Sequence, residues 1–175
     1  DPKGKYFELA VLNTLLSLEK SLKSDEEVRK IVGESIDPLP LGQEEQQFIA
    51  AAERYIKNVP KGEKVVEVKF KVARLYYGYN HFDKALPLFR EIVSKHGKTQ
   101  YAVYSANLIL DIYNLKKDYD GLSREGLGLM KNQDLRSQGF TADVKDMVEK
   151  AAFKKGQDLE TKKDYEGAAK TFSDF

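Results

Sequence analysis

The residues of this sequence that could do chemistry are few and far apart. The chain of 175 residues has two histidines and no cysteine, which rules out thiolate zinc sites and cysteine nucleophiles. His81 falls in a predicted turn, and His96 lies fifteen residues further on, at the end of a predicted helix. A metal site needs a third ligand, and neither histidine has one nearby. We therefore predict a turn role for His81 and a helix-end role for His96.

Two glycine patterns come close to nucleotide-binding motifs without completing them. Gly97-Lys98-Thr99 ends like a phosphate-binding loop, but Ile92 stands where that loop needs its earlier glycine. Gly126-Leu127-Gly128 lacks the third glycine of a dinucleotide-binding turn, because Lys131 is there. The serines have no histidine within a local motif that would make a triad. We expect no catalytic residue, metal or cofactor, and we predict that the protein is not an enzyme.

Composition and charge limit the kinds of molecule that this protein is expected to bind. Hydrophobic residues make up 41% of the chain, which is enough to build a core, so we expect a folded domain. The 29 basic and 28 acidic side chains nearly cancel, and they form no basic stripe that would follow a nucleic-acid backbone. Apolar runs such as residues 10–12 and 108–110 fall far short of the ~18 residues that span a bilayer. We expect neither nucleic-acid binding nor a transmembrane segment.

Helical spacing dominates the pattern of apolar residues. Residues 6–23 repeat leucine at the spacing of an amphipathic helix. Ser24 and Glu27 have the spacing of a capping box, which predicts a second helix ending near Gly33. The two prolines within residues 36–42 break the pattern, because each lacks an amide donor. We predict an N-terminal region of helices over residues 1–59, with this break inside it.

From residue 60 the chain repeats a plan of two helices joined by a tight turn. The predicted pairs are 65–79 with 82–96, 100–115 with 119–130, and 141–161 with a helix from Tyr165. Two of the turns share four residues, Lys-Lys-Asp-Tyr at 116–119 and 162–165. The aromatic residues that open the second helices, Phe82, Tyr119 and Tyr165, are 37 and 46 residues apart, typical of stacked helical repeats. The polar residues 132–140 account for the longer interval as a loop or an extra helical turn.

Small and aromatic residues recur at matching positions of these pairs. The first pair has Ala73, Tyr76, Phe82, Ala85 and Phe89, and this pattern resembles the tetratricopeptide repeat. In that family the small residues sit where the two helices cross closely. The third pair follows with Gly156, Tyr165, Ala168 and Phe172, although Leu159 replaces Tyr76. The second pair keeps Tyr113 and Tyr119 but has Leu110, Leu122 and Gly126 at the other positions.

The resemblance covers about residues 63 to 175. It implies an all-α fold, a right-handed superhelical stack of antiparallel helix hairpins, with repeats at about 63–97, 99–131 and 141–175, the last incomplete. Residues 1–59 would be a cap or a divergent repeat. Residues 101–119 bear a fainter likeness to tetratricopeptide proteins of the bacterial cell envelope, including assembly, peptidoglycan-associated and gliding-motility proteins. That likeness implies a place in the periplasm or envelope.

Tetratricopeptide stacks bind partners on the concave face formed by the first helices of the hairpins. The resemblance therefore implies a scaffold or adaptor that binds a peptide or protein, and helical spacing from Ala73 predicts which residues face the groove. These are Phe70, Arg74, Tyr77, Tyr104, Asn107, Asp111, Asn114, Lys150, Phe153 and Gln157. The alternative for Phe70 and Phe153 is a place in the core. The chaperone-binding members grip a peptide carboxylate with Lys and Asn, and this chain departs from that pattern at Phe70, Arg74 and Leu108.

A second hypothesis is self-assembly. The third repeat ends at Phe175 within its second helix, so Phe172 and Phe175 would face an uncovered end. Such an end could stack on another copy of the chain. The alternative to a scaffold for other proteins is thus a homo-oligomeric structural protein that stacks through its last hairpin.

Overall fold

A computed structural model describes residues 5–173, with all side chains in that range except those at positions 5, 7, 142 and 143. The regular elements of this range are all helices, which confirms the prediction of an all-α protein. They are α1 (Lys5–Ser21), α2 (Asp25–Val32), α3 (Gln43–Asn58), α4 (Val65–Gly78), α5 (Phe82–Lys95), α6 (Gln100–Leu115), α7 (Tyr119–Met130), the short α8 (Gln133–Arg136), α9 (Thr141–Thr161) and α10 (Tyr165–Ser173).

Local sequence signals place most of these helices. Helices α6, α7 and α9 begin and end at the predicted residues, and α4 and α5 each end one residue earlier. The capping box of α2 is confirmed, since the Ser24 amide donates to the Glu27 carboxylate and the Glu27 amide donates to the Ser24 hydroxyl. Gly33 ends α2 with a φ of 60°, which glycine adopts without steric cost. The polar stretch from residue 132 contains α8, which Asn132 caps.

Two compact units divide the chain, Asp1–Ile92 and Val93–Phe175, and the division falls within α5. In the first unit α1 packs on α3, and α3 packs on α4. Their shared core consists of Leu15, Phe48, Ile49, Ala52, Tyr55, Val65, Val68 and Val72. The predicted N-terminal region of residues 1–59 ends between α3 and α4, and both of these helices contribute to this core.

The proline-containing connection between α2 and α3 is held by the turn between α4 and α5. The Asn80 side-chain amide donates to the carbonyls of Ser35 and Asp37, at 2.8 and 3.2 Å. Leu39 donates its backbone amide to the Tyr79 carbonyl at 3.0 Å, and its own carbonyl lies 2.7 Å from the His81 ring nitrogen Nε2. The break in the helical pattern is therefore an ordered segment, and His81 has the predicted turn role.

In the second unit α6 packs on α7, α7 on α9, and α9 on α10. Glycine allows a close approach of α7 to α9. A Cβ atom at Gly126 would stand 2.6 Å from a methyl group of Val148 and 3.4 Å from one of Val144, so a larger residue would push α7 and α9 apart. Gly128, two residues on, has nothing within 4 Å of that position. Of these two glycines, Gly126 alone lies at a close contact between helices.

Candidate partner-binding surface

The turns of the three hairpins have one geometry. Asn80, Lys117 and Lys163 have positive φ angles of 61°, 53° and 62°. The backbone amide of each of these residues donates to the carbonyl three residues before it. The amide of the next residue donates to the carbonyl five residues before it, and all of these distances are 2.9 to 3.0 Å. These are the paired hydrogen bonds of a Schellman motif, which satisfies the last carbonyls of a helix. All three first helices thus end in the same way.

The start of each second helix is also similar. The Asp118 carboxylate accepts from the Gly121 amide at 2.8 Å, and the Asp164 carboxylate accepts from the Gly167 amide at 3.0 Å. These are N-caps that satisfy an amide with no partner inside the helix. His81 replaces the aspartate at the start of α5, where its carbonyl accepts from the amides of the first turn. The repeated Lys-Lys-Asp-Tyr segments therefore encode a helix stop followed by a helix start.

The residues expected to pack the hairpins are buried in the first pair. Ala73, Ala85 and Phe89 are fully buried, and Phe82 is almost fully buried. Tyr76 is half-buried, and its ring lies 5.3 Å from the Lys84 ammonium. In the second pair Leu110, Leu122 and Gly126 are buried, while Tyr113 and Tyr119 are half-buried.

The third pair has the same residue types, but its aromatic side chains are less buried. Gly156 and Ala168 are buried, and Gly156 lies directly against the ring of Phe172, which leaves no room for a Cβ atom. Tyr165, however, is 67% exposed and Phe172 is 37% exposed. The hairpin itself is closed, but its outer aromatic positions are uncovered. Phe175 lies outside the described residues.

On α4 the predicted groove residues have different environments. Phe70 is buried, and its ring centroid lies 6.1 Å from that of Phe89 on α5, so the core alternative holds for this residue. Tyr77 is half-buried, with its ring 6.0 Å from Phe82 and 6.5 Å from Phe89. Arg74 is exposed and forms an ion pair with Asp25 of α2. Only Arg74 presents its side chain largely to solvent.

On α6 the predicted residues form one face. Tyr104, Asn107, Asp111 and Asn114 follow the spacing i, i+3, i+7 and i+10, which places them along one side of a helix. Tyr104 is 48% exposed and Asn107 is exposed, whereas Asp111 and Asn114 are half-buried. Tyrosine is among the residues that are enriched in protein-binding surfaces.

On α9 the predicted residues are all exposed. Lys150 donates to Asp146 one helical turn away at 2.7 Å, and this hydrogen bond raises the pKa of Lys150. Gln157 lies on the same side of the helix, two turns further on. Phe153 is 57% exposed, but its ring centroid lies 5.7 Å from that of Phe172 on α10. Phe153 thus belongs to the exposed aromatic group of the last hairpin.

The structure contains two equivalent aromatic pairs that were not predicted from the sequence, Phe70 with Phe89 and Phe153 with Phe172. Each residue of the second pair lies 83 residues after its equivalent in the first. The ring planes meet at 52° in the first hairpin and 48° in the third. The spacing was available in the sequence, since each phenylalanine of the second helix sits nineteen residues after its partner. Pairing the two positions would have moved Phe153 out of the predicted groove.

In comparisons with known proteins, no protein-family model, curated protein or solved structure matches this chain. Among the described residues, no group of three or more histidine, aspartate and glutamate side chains could hold a metal ion. None of the helices within residues 5–173 is both long and apolar enough to cross a membrane.

Proposed function

We propose that the three hairpins α4–α5, α6–α7 and α9–α10 are copies of one tetratricopeptide-like repeat. Support comes from the Schellman turn shared by Asn80, Lys117 and Lys163. The first and third hairpins also share buried small residues, Ala73 and Ala85 in one, Gly156 and Ala168 in the other. The aromatic pair that recurs after 83 residues adds a tertiary contact to the sequence pattern. A repeat stack offers its first helices as a binding surface.

We propose that the protein is an interaction scaffold that binds a peptide or partner protein on its first helices. The observation that carries this proposal is the face of α6, where Tyr104 is half exposed in line with Asn107, Asp111 and Asn114. Tyrosine has a large contact area and loses little conformational entropy on binding, which makes an exposed tyrosine a good anchor. Lys150 and Gln157 on α9 are the further predicted contacts of the second unit, and Arg74 on α4 is a separate predicted contact of the first unit.

Site-specific photo-crosslinking in cells tests the scaffold. A benzophenone amino acid replaces Tyr104 in one variant and Leu127 in a matched control, because Leu127 is exposed to a similar degree, at 53%, on the second helix α7. We expect one protein to crosslink from position 104 and not from position 127. Binding of that purified protein should then weaken roughly tenfold or more in the Tyr104→Ala variant. Equal crosslinking from both positions would show that the α6 face has no binding role.

The second candidate function, self-assembly through the last hairpin, is favoured by a different observation. Phe153, Tyr165 and Phe172 are exposed, although Phe70, Phe82 and Phe89 at the equivalent positions of the first hairpin are buried. Exposed apolar groups of this kind mark contact surfaces. Light scattering over a dilution series tests this function, since a mass that stays monomeric up to high concentration would exclude it.

A further inference from the structure

The aromatic positions of the last hairpin form a continuous surface, which we name the α10 face. It consists of Tyr165, Ala169 and Phe172, which recur at i, i+4 and i+7 along α10, together with Phe153 of α9. All four residues are exposed. Phe172 also touches Gly156 of α9, on the side of α10 where Ala168 is buried, so the α10 face is the partly uncovered edge of the hairpin, with Tyr165 and Ala169 further toward solvent.

The second hairpin, α6–α7, shows what packs against the equivalent position of a second helix. Gly126 of α7 is the repeat equivalent of Phe172, and it packs against Val144 and Val148 of α9. Those two valines are four residues apart and form an apolar stripe on the first helix of the next hairpin. In the second unit, therefore, the outer side of a second helix receives an apolar helix stripe. Among the described residues, α9 is the one helix that packs extensively on α10.

Helix α1 has an apolar stripe of this kind that its own core does not use. Leu15 faces α3 and is buried, whereas Tyr6, Leu9 and Leu16 are exposed on another side of the helix. We name these three residues the α1 face. Outside the α1 and α10 faces, the exposed large apolar residues of the described helices, such as Leu115 and Leu127, do not form a stripe of three on one helix. The two faces are thus the main apolar surfaces left open.

We infer that the α1 face of one copy of this chain packs on the α10 face of a second copy, as α9 packs on α7. This inference rests on self-assembly, the second of the two proposed functions. It identifies the α1 face as the surface to which the last hairpin of another copy binds. The contact joins two different faces, α1 of one copy and α10 of the other, and is heterologous in that sense. The net charge of +1 opposes such association only weakly.

Two substitutions block one face each. Leu16→Glu places a charge on the α1 face, and Ala169→Glu places one at the centre of the α10 face, where glutamate keeps a good helix propensity. Leu127→Glu is the matched control, because it makes the same change as Leu16→Glu at a leucine of nearly equal exposure, 53% against 52%. Circular dichroism verifies that each variant retains its helices. Sedimentation velocity over a concentration series measures association.

We expect the mass of the unmodified protein and of Leu127→Glu to rise with concentration. Leu16→Glu and Ala169→Glu should each remain monomeric at concentrations tenfold above the point where the unmodified chain associates. An equal mixture of these two variants should form a heterodimer and nothing larger, because the mixture contains one intact α1 face and one intact α10 face. This complementation is specific to a heterologous contact.

The other outcomes separate the inference from the function on which it rests. A strict monomer in the unmodified protein would exclude self-assembly altogether, and the inference with it. Association that Ala169→Glu abolishes and Leu16→Glu leaves intact would retain self-assembly and overturn the role of α1. Association that Ala169→Glu leaves intact, or a mixture of the two variants that yields only monomers, would likewise overturn the proposed contact.

Discussion

At the scale of single residues, the least expected feature is the buried carboxylate of Glu45. Only 1% of this residue is exposed, and it accepts hydrogen bonds from the Tyr79 hydroxyl at 2.6 Å and the Lys23 ammonium at 3.3 Å. Burial by itself would raise the pKa of Glu45. The hydrogen bonds from Tyr79, from the Glu45 backbone amide and from Lys23 outweigh that effect, so the pKa lies below its ordinary value of 4.5.

The lowered pKa predicts a pH-dependent stability. The unfolded state holds the Glu45 proton more tightly than the folded state, so the stabilisation is present above pH 4.5 and is lost as the pH falls through the folded value. At pH 7 we expect Glu45→Gln to reduce the free energy of unfolding by about 1–3 kcal/mol, because it weakens hydrogen bonds to a buried charge. Urea denaturation at pH 7 and near pH 4 measures the effect, which should shrink at the lower pH.

Glu44→Gln is the control for this prediction. Glu44 lies in the same first turn of α3 but is exposed, so its change removes an equal charge from the helix N-terminus without disturbing the buried hydrogen bonds. We expect it to cost a few tenths of a kcal/mol at most. Equal losses in both variants would mean that Glu45 acts through the helix dipole alone.

At the scale of the elements, the shared turn predicts opposite effects of glycine at equivalent positions. Lys117 has a φ of 53°, a conformation that costs a non-glycine residue roughly 1 kcal/mol. Lys117→Gly should therefore stabilise the protein by about 0.5–1 kcal/mol. Asn80→Gly should destabilise it, because the Asn80 side chain donates to the Ser35 and Asp37 carbonyls. The midpoints of urea unfolding report both changes.

Lys116→Gly separates conformational strain from other effects of removing a lysine. Lys116 is adjacent and has a φ of −74°, in the right-handed helical region, where glycine brings no relief. We expect this variant to be neutral or less stable than the unmodified protein. A stabilisation equal to that of Lys117→Gly would show that the positive φ is not the cause.

Two glycines of α7 give a second matched comparison. Gly126→Ala places a Cβ atom 2.6 Å from Val148, so we expect a loss of about 1–3 kcal/mol as α7 and α9 move apart. Gly128→Ala meets nothing within 4 Å and should stabilise the exposed helix by up to about 1 kcal/mol. Thermal unfolding followed by circular dichroism measures both. Similar melting temperatures for the two variants would contradict the close approach.

The sequence predicted the bounds of the helices better than the tertiary contacts between them. Helix starts and stops are local, so the repeated Lys-Lys-Asp-Tyr segments and the Ser24–Glu27 capping box were sufficient to place them. The sequence gives no sign that Glu45 is buried, because Tyr79 lies 34 residues away and no local pattern connects the two. Gly126 and Gly128 looked alike for the same reason. Their difference depends on where α9 passes.

At the scale of the whole molecule, helices pack mainly on helices close to them in the chain. In the first unit α3 contacts both α1 and α4, and in the second unit α9 contacts both α7 and α10. A protein built in this way gains its stability from nearest-neighbour contacts, so a defect is expected to act mostly on the helices beside it.

Native-state hydrogen exchange can measure how local such a defect is. With Gly126→Ala we expect amide exchange to accelerate roughly tenfold or more in α7 and α9, which lose their close contact, and to change little in α1 and α3. Glu45→Gln is the reciprocal control, because its hydrogen-bond partners all lie in the first unit, so α1, α3 and α4 should respond while α7 and α9 do not. Equal acceleration in all helices by either variant would show instead that the chain unfolds as one cooperative whole.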